Sequence, residues 1–513
     1  MANPRSTIPN PKSVDALFGQ SYYLRFDSKL WDALQPFPPL GSLYAASAAR
    51  QAGYSVALFD AMLAESTKAW AAALDKHHPR FAFIYEDNFN YLSKMCLLNM
   101  REAAFEMAHM AKERDFVEAV IVCGSDATDQ LEAYFAHGVD YALLGEGENT
   151  LIELLRALTE QPQNGLDSIQ GLAWPNAAGA ITRTLPRAFE RDVDKFAFPA
   201  WDLVDIPHYK QVWYERHGHY SMNLVTTRGC PYSCNWCAKP IYGQRYNARS
   251  PENVADEVKW LHDNFQPDRL WFADDILGLK PHWLERFAEE LRQRGVKVSF
   301  KCLQRADLVT PTTAKALAAA GCKIVWMGAE SGSQRILDAM DKGQTVEEIY
   351  TATRLLHKNG IQVGFFIQFG YSGETFEDID LTLKMICAAR PDDIGISVSY
   401  PLPGTKFHER VYDQLGEKQN WTDSNDLALL YEGTFAPEFY RVLHRRVHHE
   451  FRLRKSWELV RESVMRPARW RPQLVRKIAS IPYHRIMWTQ TDSKLRKLAR
   501  QPRSIQLTSV FVS

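Results

Sequence analysis

Residues 223–237 read NLVTTRGCPYSCNWC, from Asn223 to Cys237. Asn223–Thr227 has the composition of a short strand, and Arg228-Gly229 turns it directly into three cysteines. Cys230, Cys234 and Cys237 are spaced C-x3-C-x2-C. Three thiolates this close on one loop can hold three irons of a [4Fe–4S] cluster and leave the fourth iron open for chemistry. A structural zinc site wants four ligands, usually from paired C-x2-C knuckles, and no second knuckle follows. Buried thiols without a metal are the other plain reading. It suits most of the scattered Cys96, Cys123, Cys302, Cys322 and Cys387.

Working outward, residues 216–424 alternate strand and helix. Strands are expected at Asn223–Thr227, Arg269–Ala273, Lys297–Leu303, Lys323–Gly328, Gln362–Phe369 and Asp393–Tyr400. Amphipathic stretches such as Asn253–Asn264 and Trp283–Arg294 separate them. Six parallel strands are too few for an eight-stranded barrel, so the pattern predicts a partial (β/α)6 barrel. Barrels build active sites at the carboxyl ends of their strands, and there the loops are polar or glycine-rich. They are Phe272-Ala273-Asp274-Asp275, Arg305, Gly328-Ala329-Glu330-Ser331-Gly332, Gly370–Thr375 and Pro401–Thr405.

Residues 1–164 also alternate. Val56–Phe59, Phe81–Tyr85, Val120–Cys123 and Tyr141–Leu144 read as strands, and Leu43–Gln51 and Leu151–Leu158 as helices. This is an α/β pattern of a Rossmann-like parallel sheet, whose ligands bind at strand ends. The Gly145–Glu148 run lacks the spacing of a dinucleotide fingerprint. Residues 165–215 read as a linker whose turn, Asn176–Gly179, closes a hairpin.

Residues 425–513 read as a helical, basic extension. Eighteen Lys or Arg stand against four acids after Tyr440. With Trp457, Trp470 and Trp488, such a tail can lie on an anionic membrane surface. The plainer reading is a solvated helical cap docked by charge on the acidic body. His444 and His448 share a helical face and could bind metal, but surface histidines are the simpler expectation. Tyr85, Tyr91, Tyr371 and Tyr400 could reach an active cavity; most such rings only pack.

The 513 residues carry 61 basic and 61 acidic side chains, so the overall charge implies no polyanionic partner, and nucleic acid is not expected. Eight cysteines in this length do not make a disulfide scaffold. The polar N-terminus lacks a signal-peptide core, and no apolar run reaches the ~18–20 residues of a spanning helix. A cytoplasmic protein with reduced thiols is expected.

The cysteine run resembles that of the radical S-adenosylmethionine (SAM) enzymes. Trp236 fits the aromatic residue that precedes the third cysteine there. In that family, SAM chelates the open iron through its amino and carboxylate groups, and an electron from the cluster splits it into methionine and a 5′-deoxyadenosyl radical. The resemblance assigns Cys230, Cys234 and Cys237 to the cluster. It assigns Trp236, Asp274, Asp275, Arg305, Glu330 and Ser331 to SAM. Asp274-Asp275 stands where the family commonly has Gly-Gly-Glu, and Arg305 would pair the SAM carboxylate. Gly370–Thr375 resembles Gly-x-Pro-Gly-Glu-Thr with serine for proline.

The order of α/β domain, hairpin and barrel is similar to the cobalamin-binding subclass of radical SAM enzymes. Residues 38–61 (PPLGSLYAASAARQAGYSVALFDA), 141–155 (YALLGEGENTLIELL) and 171–183 (GLAWPNAAGAITR) carry that likeness. It implies cobalamin on the loops Glu86-Asp87-Asn88, Gly124-Ser125-Asp126-Ala127-Thr128 and Gly145-Glu146-Gly147-Glu148. The Asp-x-His-x-x-Gly cobalt-ligand motif is absent; Asp60-Ala61-Met62 offers no such histidine. The resemblance implies methylation of an unactivated carbon, with methylcobalamin as donor and a flavodoxin or ferredoxin as electron source. An oxidative cyclase using the same cofactors is the alternative. A non-enzymatic iron–sulfur or zinc protein binding nucleic acid through the tail is a remote one.

Overall fold

The computed structural model describes residues 13–160, 165–239, 241–465 and 472–500, the side chains of 462–475 excepted; Trp470 lies outside them. The first sheet has the order β2-β1-β3-β4-β5-β6-β7. Its strands are β1 Ala16–Gly19, β2 Val56–Leu58, β3 Phe81–Tyr85, β4 Ala119–Cys123, β5 Tyr141–Leu143, β6 Leu172–Pro175 and β7 Ile181–Arg183. β1 to β5 run parallel. β3 and β4 are buried at every residue, because helices cover both faces. Leu40–Gln51 and Gly147–Thr159 pack Ala45, Ala49 and Leu151 on one side. Lys68–His77 and Leu98–Lys112 pack Trp70, Leu74 and Ala104 on the other. The chain reverses between β1 and β3, and such switch points bind ligands. The sequence reading missed β1, which opens on alanine and closes on glycine, residues depleted from strands, although it creates the switch.

The expected hairpin forms, but not inside a linker. β6 and β7 extend the sheet antiparallel from β5, so the N-terminal unit continues past residue 164 to Arg183. Pairing closes the edge of β5, whose backbone groups would otherwise stand open.

The second sheet is β8 Ser221–Leu224, β11 Arg269–Phe272, β12 Ser299–Gln304, β13 Cys322–Glu330, β14 Gln362–Phe369 and β15 Asp393–Val398, all parallel and in chain order. The partial barrel is therefore open between β8 and β15. The expected strand Asn223–Thr227 divides. β9 Thr227–Arg228 leaves the sheet and pairs antiparallel with β10 Asn247–Ala248. Asp274 is the cause: its carboxylate accepts the Thr226 and Thr227 N–H groups, each at 2.7 Å.

The C-terminal helices are Pro437–Met465, Pro472–Ala479 and Ile481–Ala499, with residues 425–436 irregular. Arg454 donates to the carbonyls of Ile386 (2.6 Å) and Pro391 (3.0 Å), capping the helix Phe376–Ala389. Glu458 pairs with Arg390 and Lys455 with Asp392. The inner face of the long helix thus docks by charge on the barrel, while Trp457 stands 57% exposed. His444 and His448 are half-buried. Their rings lie 4.5 Å apart, and burial pushes them down to about 4 and about 3. Leu40 and Leu43 of the first unit, Phe272 of the barrel and Phe439 and Leu443 of the terminal helix share one apolar core. Among the described residues no helix is long and apolar enough to cross a membrane.

Candidate functional site

The three cysteines sit on the loop between β9 and β10, whose pairing closes the loop at its base. All three are free and partly accessible. Asn235, inside the motif, pins the loop to three others. Its N–H donates to Met340 O (3.1 Å), and its amide donates to Ala339 O (2.8 Å) and Asp341 Oδ2 (3.0 Å). Its carbonyl accepts from Phe407 N (2.9 Å), and its Oδ1 accepts from the Tyr371 hydroxyl (2.8 Å). Tyr371 is therefore a buttress, steadied by Arg410 at 3.1 Å. The sequence reading passed over Asn235, because a polar residue between two cysteines carries no signal of these distant partners.

Arg305 also holds the loop. Its guanidinium donates to Asp307 (2.9 Å) and to the carbonyls of Lys342 (2.8 Å) and Gly343 (3.2 Å). Nη1 lies 3.8 Å from Cys234 Sγ, and the group sits over the Tyr232 ring. The fork expected to grip a carboxylate is thus largely occupied by protein. The Trp236 Nε1 is buried without a partner.

At the end of β11 the two aspartates divide. Asp274 accepts from both backbone N–H groups and both hydroxyls of Thr226 and Thr227, three of these bonds on Oδ1 and one on Oδ2, so it is committed to the protein. Asp275 is accessible and pairs with Lys94 at 3.0 Å. At the end of β13, Glu330 adopts φ +54° and pairs with buried Lys342 at 2.8 Å. The Ser331 hydroxyl is tied to Thr382 (3.1 Å) and to Ser333 N (3.1 Å).

The N-terminal loops meet this site. At the switch point Glu86 accepts from Ser21 N (3.0 Å) and Ser21 Oγ (2.6 Å), and Asp87 accepts from Gly41 N (3.0 Å). Burial pushes Glu86 up to about 7 and Asp87 up to about 6. Asp126 pairs with Arg101 and accepts from Tyr134, while Thr128 bonds back to Gly124 O. Gly145 takes φ +76°. At Gly147 a Cβ would come within 2.6 Å of the Tyr85 hydroxyl. Glu146 and Glu148 both reach across to Arg228, at 2.6 and 2.7 Å. Asp60, in place of a histidine motif, is held by Tyr209 at 2.6 Å. Several polar atoms here are buried without a partner: both ends of the Gln20 amide, Glu86 Oε2, Asn88 Oδ1, Ser93 Oγ and Ser125 Oγ.

Tyr91 and Lys94, on the segment after β3, cross from the first unit to the cysteines. Burial opposes the charge of Lys94, but Asp275 and then Cys237 and Cys230 hold it above the usual lysine range. Tyr91 is 56% accessible. Burial of its hydroxyl, then Cys237 and Glu330, push its phenol up, so the accessible ring lies near the cysteine loop. Tyr85, Tyr371 and Tyr400 are each under 7% exposed. Of the four tyrosines singled out in the sequence, Tyr91 is the one left accessible.

Glu374, in the loop after β14, accepts from Gly370 N, and its Oε1 has no partner. Burial pushes it up from 4.5 to about 8. The folded state therefore binds a proton that the unfolded chain has released, and stability falls as pH rises through that window. Glu374→Gln carries no charge to bury. Its stability relative to wild type is expected to grow between pH 4.5 and 8 by up to about 1.4 kcal/mol per unit. Urea midpoints at pH 4, 6 and 8.5 check this; a constant offset across the three would contradict it.

A model of the radical SAM superfamily matches residues 224–386. The uncharacterized methyltransferase PH0819 of Pyrococcus horikoshii is 28% identical over 390 residues, covering 75% of this chain and 81% of that protein. The solved radical SAM methyltransferase TsrM from Kitasatospora setae, with cobalamin and [4Fe-4S] cluster bound, superposes with TM-score 0.62 at 20% identity. It covers 78% of this chain and 74% of its own. The cobalamin-dependent SAM radical enzyme OxsB, with aqua-cobalamin bound, superposes with TM-score 0.72 at 16% identity over 95% of this chain and 73% of its own. Residues 224–386, which hold the cysteine loop and most of the open six-stranded barrel, thus form a radical SAM domain. With its N-terminal sheet included, the chain shares the fold of those two cobalamin-bound structures.

Proposed function

We propose that the protein uses SAM and cobalamin to methylate an unactivated carbon of an organic substrate, with Cys230, Cys234 and Cys237 as the cluster ligands. The supporting observation is the Arg228–Glu146/Glu148 lock. It fixes the cysteine loop against the N-terminal strand ends, which supports two cofactor sites facing each other. The residues fit both groups. Three free thiols on one pinned loop suit an iron–sulfur cluster. The unpartnered polar atoms of Gln20, Asn88, Ser93 and Ser125 suit a corrin fringed with amides, since such atoms otherwise cost about 1–3 kcal/mol each. No histidine stands at these loops, so the group would be held without one. When bound, the cluster supplies the electron that cleaves SAM, and cobalamin carries the methyl group.

The chain's own groups position and enclose. Asn235 and Arg305 set the loop geometry. Asp275 is the carboxylate free to receive the SAM ammonium, with Lys94 as its partner until SAM arrives. Asp274 is a latch between β8 and β11. Asp275→Asn is therefore expected to weaken SAM binding roughly tenfold or more, the worth of a charge-assisted hydrogen bond, with little change in thermal stability. Asp274→Asn is expected to lower thermal stability, because an N–H₂ replaces one acceptor oxygen and the charge that strengthens the remaining hydrogen bonds is lost. Equal effects of the two variants on both readouts would refute this division. Glu330 and Ser331 shape the far wall, and Tyr91 closes the chamber over the substrate. Electrons come from a reductant, for which a flavodoxin or ferredoxin is the candidate.

Purification without oxygen and with cobalamin supplied, followed by cluster reconstitution, tests the reading. Stoichiometric cobalamin, release of both S-adenosylhomocysteine and 5′-deoxyadenosine, and a product heavier by one CH₂ unit are expected. A product of unchanged carbon count would indicate ring closure by the same cofactors. Deoxyadenosine without cobalamin would remove methyl transfer from the proposal.

A further inference from the structure

Burial alternates along the barrel strands, and one face is left incompletely covered. Residues facing the helices, such as Phe272, Phe300, Val325 and Phe365, are no more than 2% exposed. On the opposite, inward face Trp271, Lys301, Ile324 and Trp326 are only half-buried, and Phe366 is 36% exposed. Closed eight-stranded barrels fill their interior with layered side chains; six strands leave a lumen. Trp326 and Phe366 stack 4.8 Å apart within it. A Cβ at Gly364 would stand 2.5 Å from the Trp326 ring, and one at Gly395 3.2 Å from Phe366. Glycine at both positions makes room for a continuous aromatic wall.

One charge interrupts that wall. Lys301 lies in register with Trp271 and Ile324. Its Nζ is 4.3 Å from the Trp271 ring centroid and 5.2 Å from that of Phe37. Among the described residues no carboxylate or carbonyl accepts from it. Burial, then Arg269, push it down to about 8. Cation–π contacts of ~0.5–2 kcal/mol do not offset the several kcal/mol lost when an ammonium leaves water. An anion is the missing partner.

We propose that the lumen binds the anionic end of an elongated apolar substrate, with Lys301 taking its carboxylate or phosphate and Trp271, Trp326 and Phe366 holding its body. This rests on the radical SAM reading above, because the far end then lies at the cysteine loop. Four residues separate Lys301 from Arg305 at the strand's end, which at about 3.3 Å per residue is about 13 Å, or roughly ten carbons of extended chain. The substrate class is thus an amphipathic molecule whose reacting carbon sits that far from its acid group.

Calorimetry on the reconstituted full chain with decanoate, decyl phosphate and decyltrimethylammonium tests this. The anions are expected to bind roughly tenfold or more tightly than the cation. Whichever of decanoate and decyl phosphate binds more tightly identifies the head group. Lys301→Met should abolish the preference while remaining folded, since it places a methyl group among rings, and Lys301→Arg should keep it. No binding, equal binding of all three probes, or an unchanged preference in Lys301→Met would overturn the proposal. Deoxyadenosine release measured on the same samples separates the two readings. If release persists without charge-selective binding, the lumen proposal fails alone; if selective binding persists without release, the enzymatic reading fails alone.

Discussion

Cys234→Ala abolishes 5′-deoxyadenosine release to the background of cluster-free protein: that is the largest effect expected of any single substitution. Two thiolates cannot hold three irons, and no other cysteine can replace the lost one. Cys96, Cys123, Cys302 and Cys322 are buried elsewhere in the core, and Cys387 lies on the helix Phe376–Ala389. The fold should survive. Cys234 is partly accessible, and among the described residues the hydrogen-bond contact of its thiol is the 3.8 Å approach of Arg305. Such positions usually change stability by no more than about 0.5 kcal/mol. Iron and sulfide content, cleavage of SAM and thermal melting on one preparation make the test, with Cys387→Ala as control. Retained cleavage in Cys234→Ala would return the cysteines to a structural role.

Arg228→Met should cost about 3–5 kcal/mol, because removing one partner leaves a buried charge uncompensated. Here it leaves two, Glu146 and Glu148, each no more than 5% exposed. Phe196 packs 3.9 Å from the guanidinium and closes the site to water. The sign with pH follows from the carboxylates. Burial pushes Glu146 above the usual carboxylate range; once it is protonated, less charge is left uncompensated, so the deficit is largest at neutral pH and shrinks on acidification. Adding Glu146→Gln and Glu148→Gln should restore part of the loss in a double-mutant cycle. The variant should also bind cobalamin and cluster less well, since Arg228 precedes the cysteine loop by one residue. A deficit that is independent of pH, or that the glutamine pair does not relieve, would show that the ion pair is not what joins the units.

Much of the architecture was legible in the chain. Phe81–Tyr85 and Gln362–Phe369 are strands at the bounds expected, because runs of β-branched and aromatic residues have no competing period there. The six-stranded open barrel followed from counting such runs. β1 escaped because its short run opens on alanine and closes on glycine, residues depleted from strands. The hairpin was visible but not its destination, since pairing to β5 depends on an edge elsewhere in the fold. Of the site, the cysteines were legible because their ligand chemistry is local. Asn235, Lys94 and Arg228 were not, because each acts through a partner 80 or more residues away in the chain. The paired aspartates show the same limit: adjacent and chemically alike, they were read as equivalents, and the structure divides them.

The sequence by itself determined that a three-thiolate loop follows a strand, that six such strands make an open barrel, and that an α/β unit precedes it. Spacing, periodicity and turn chemistry act over a few residues, and short range is enough for them. Only the tertiary structure decided which carboxylate is free, which arginine joins the two units and which lysine is left facing an aromatic lumen without an anion. Those outcomes depend on which buried group finds a counter-charge. In a low-dielectric interior that is set by contacts between distant segments, and no local pattern records them.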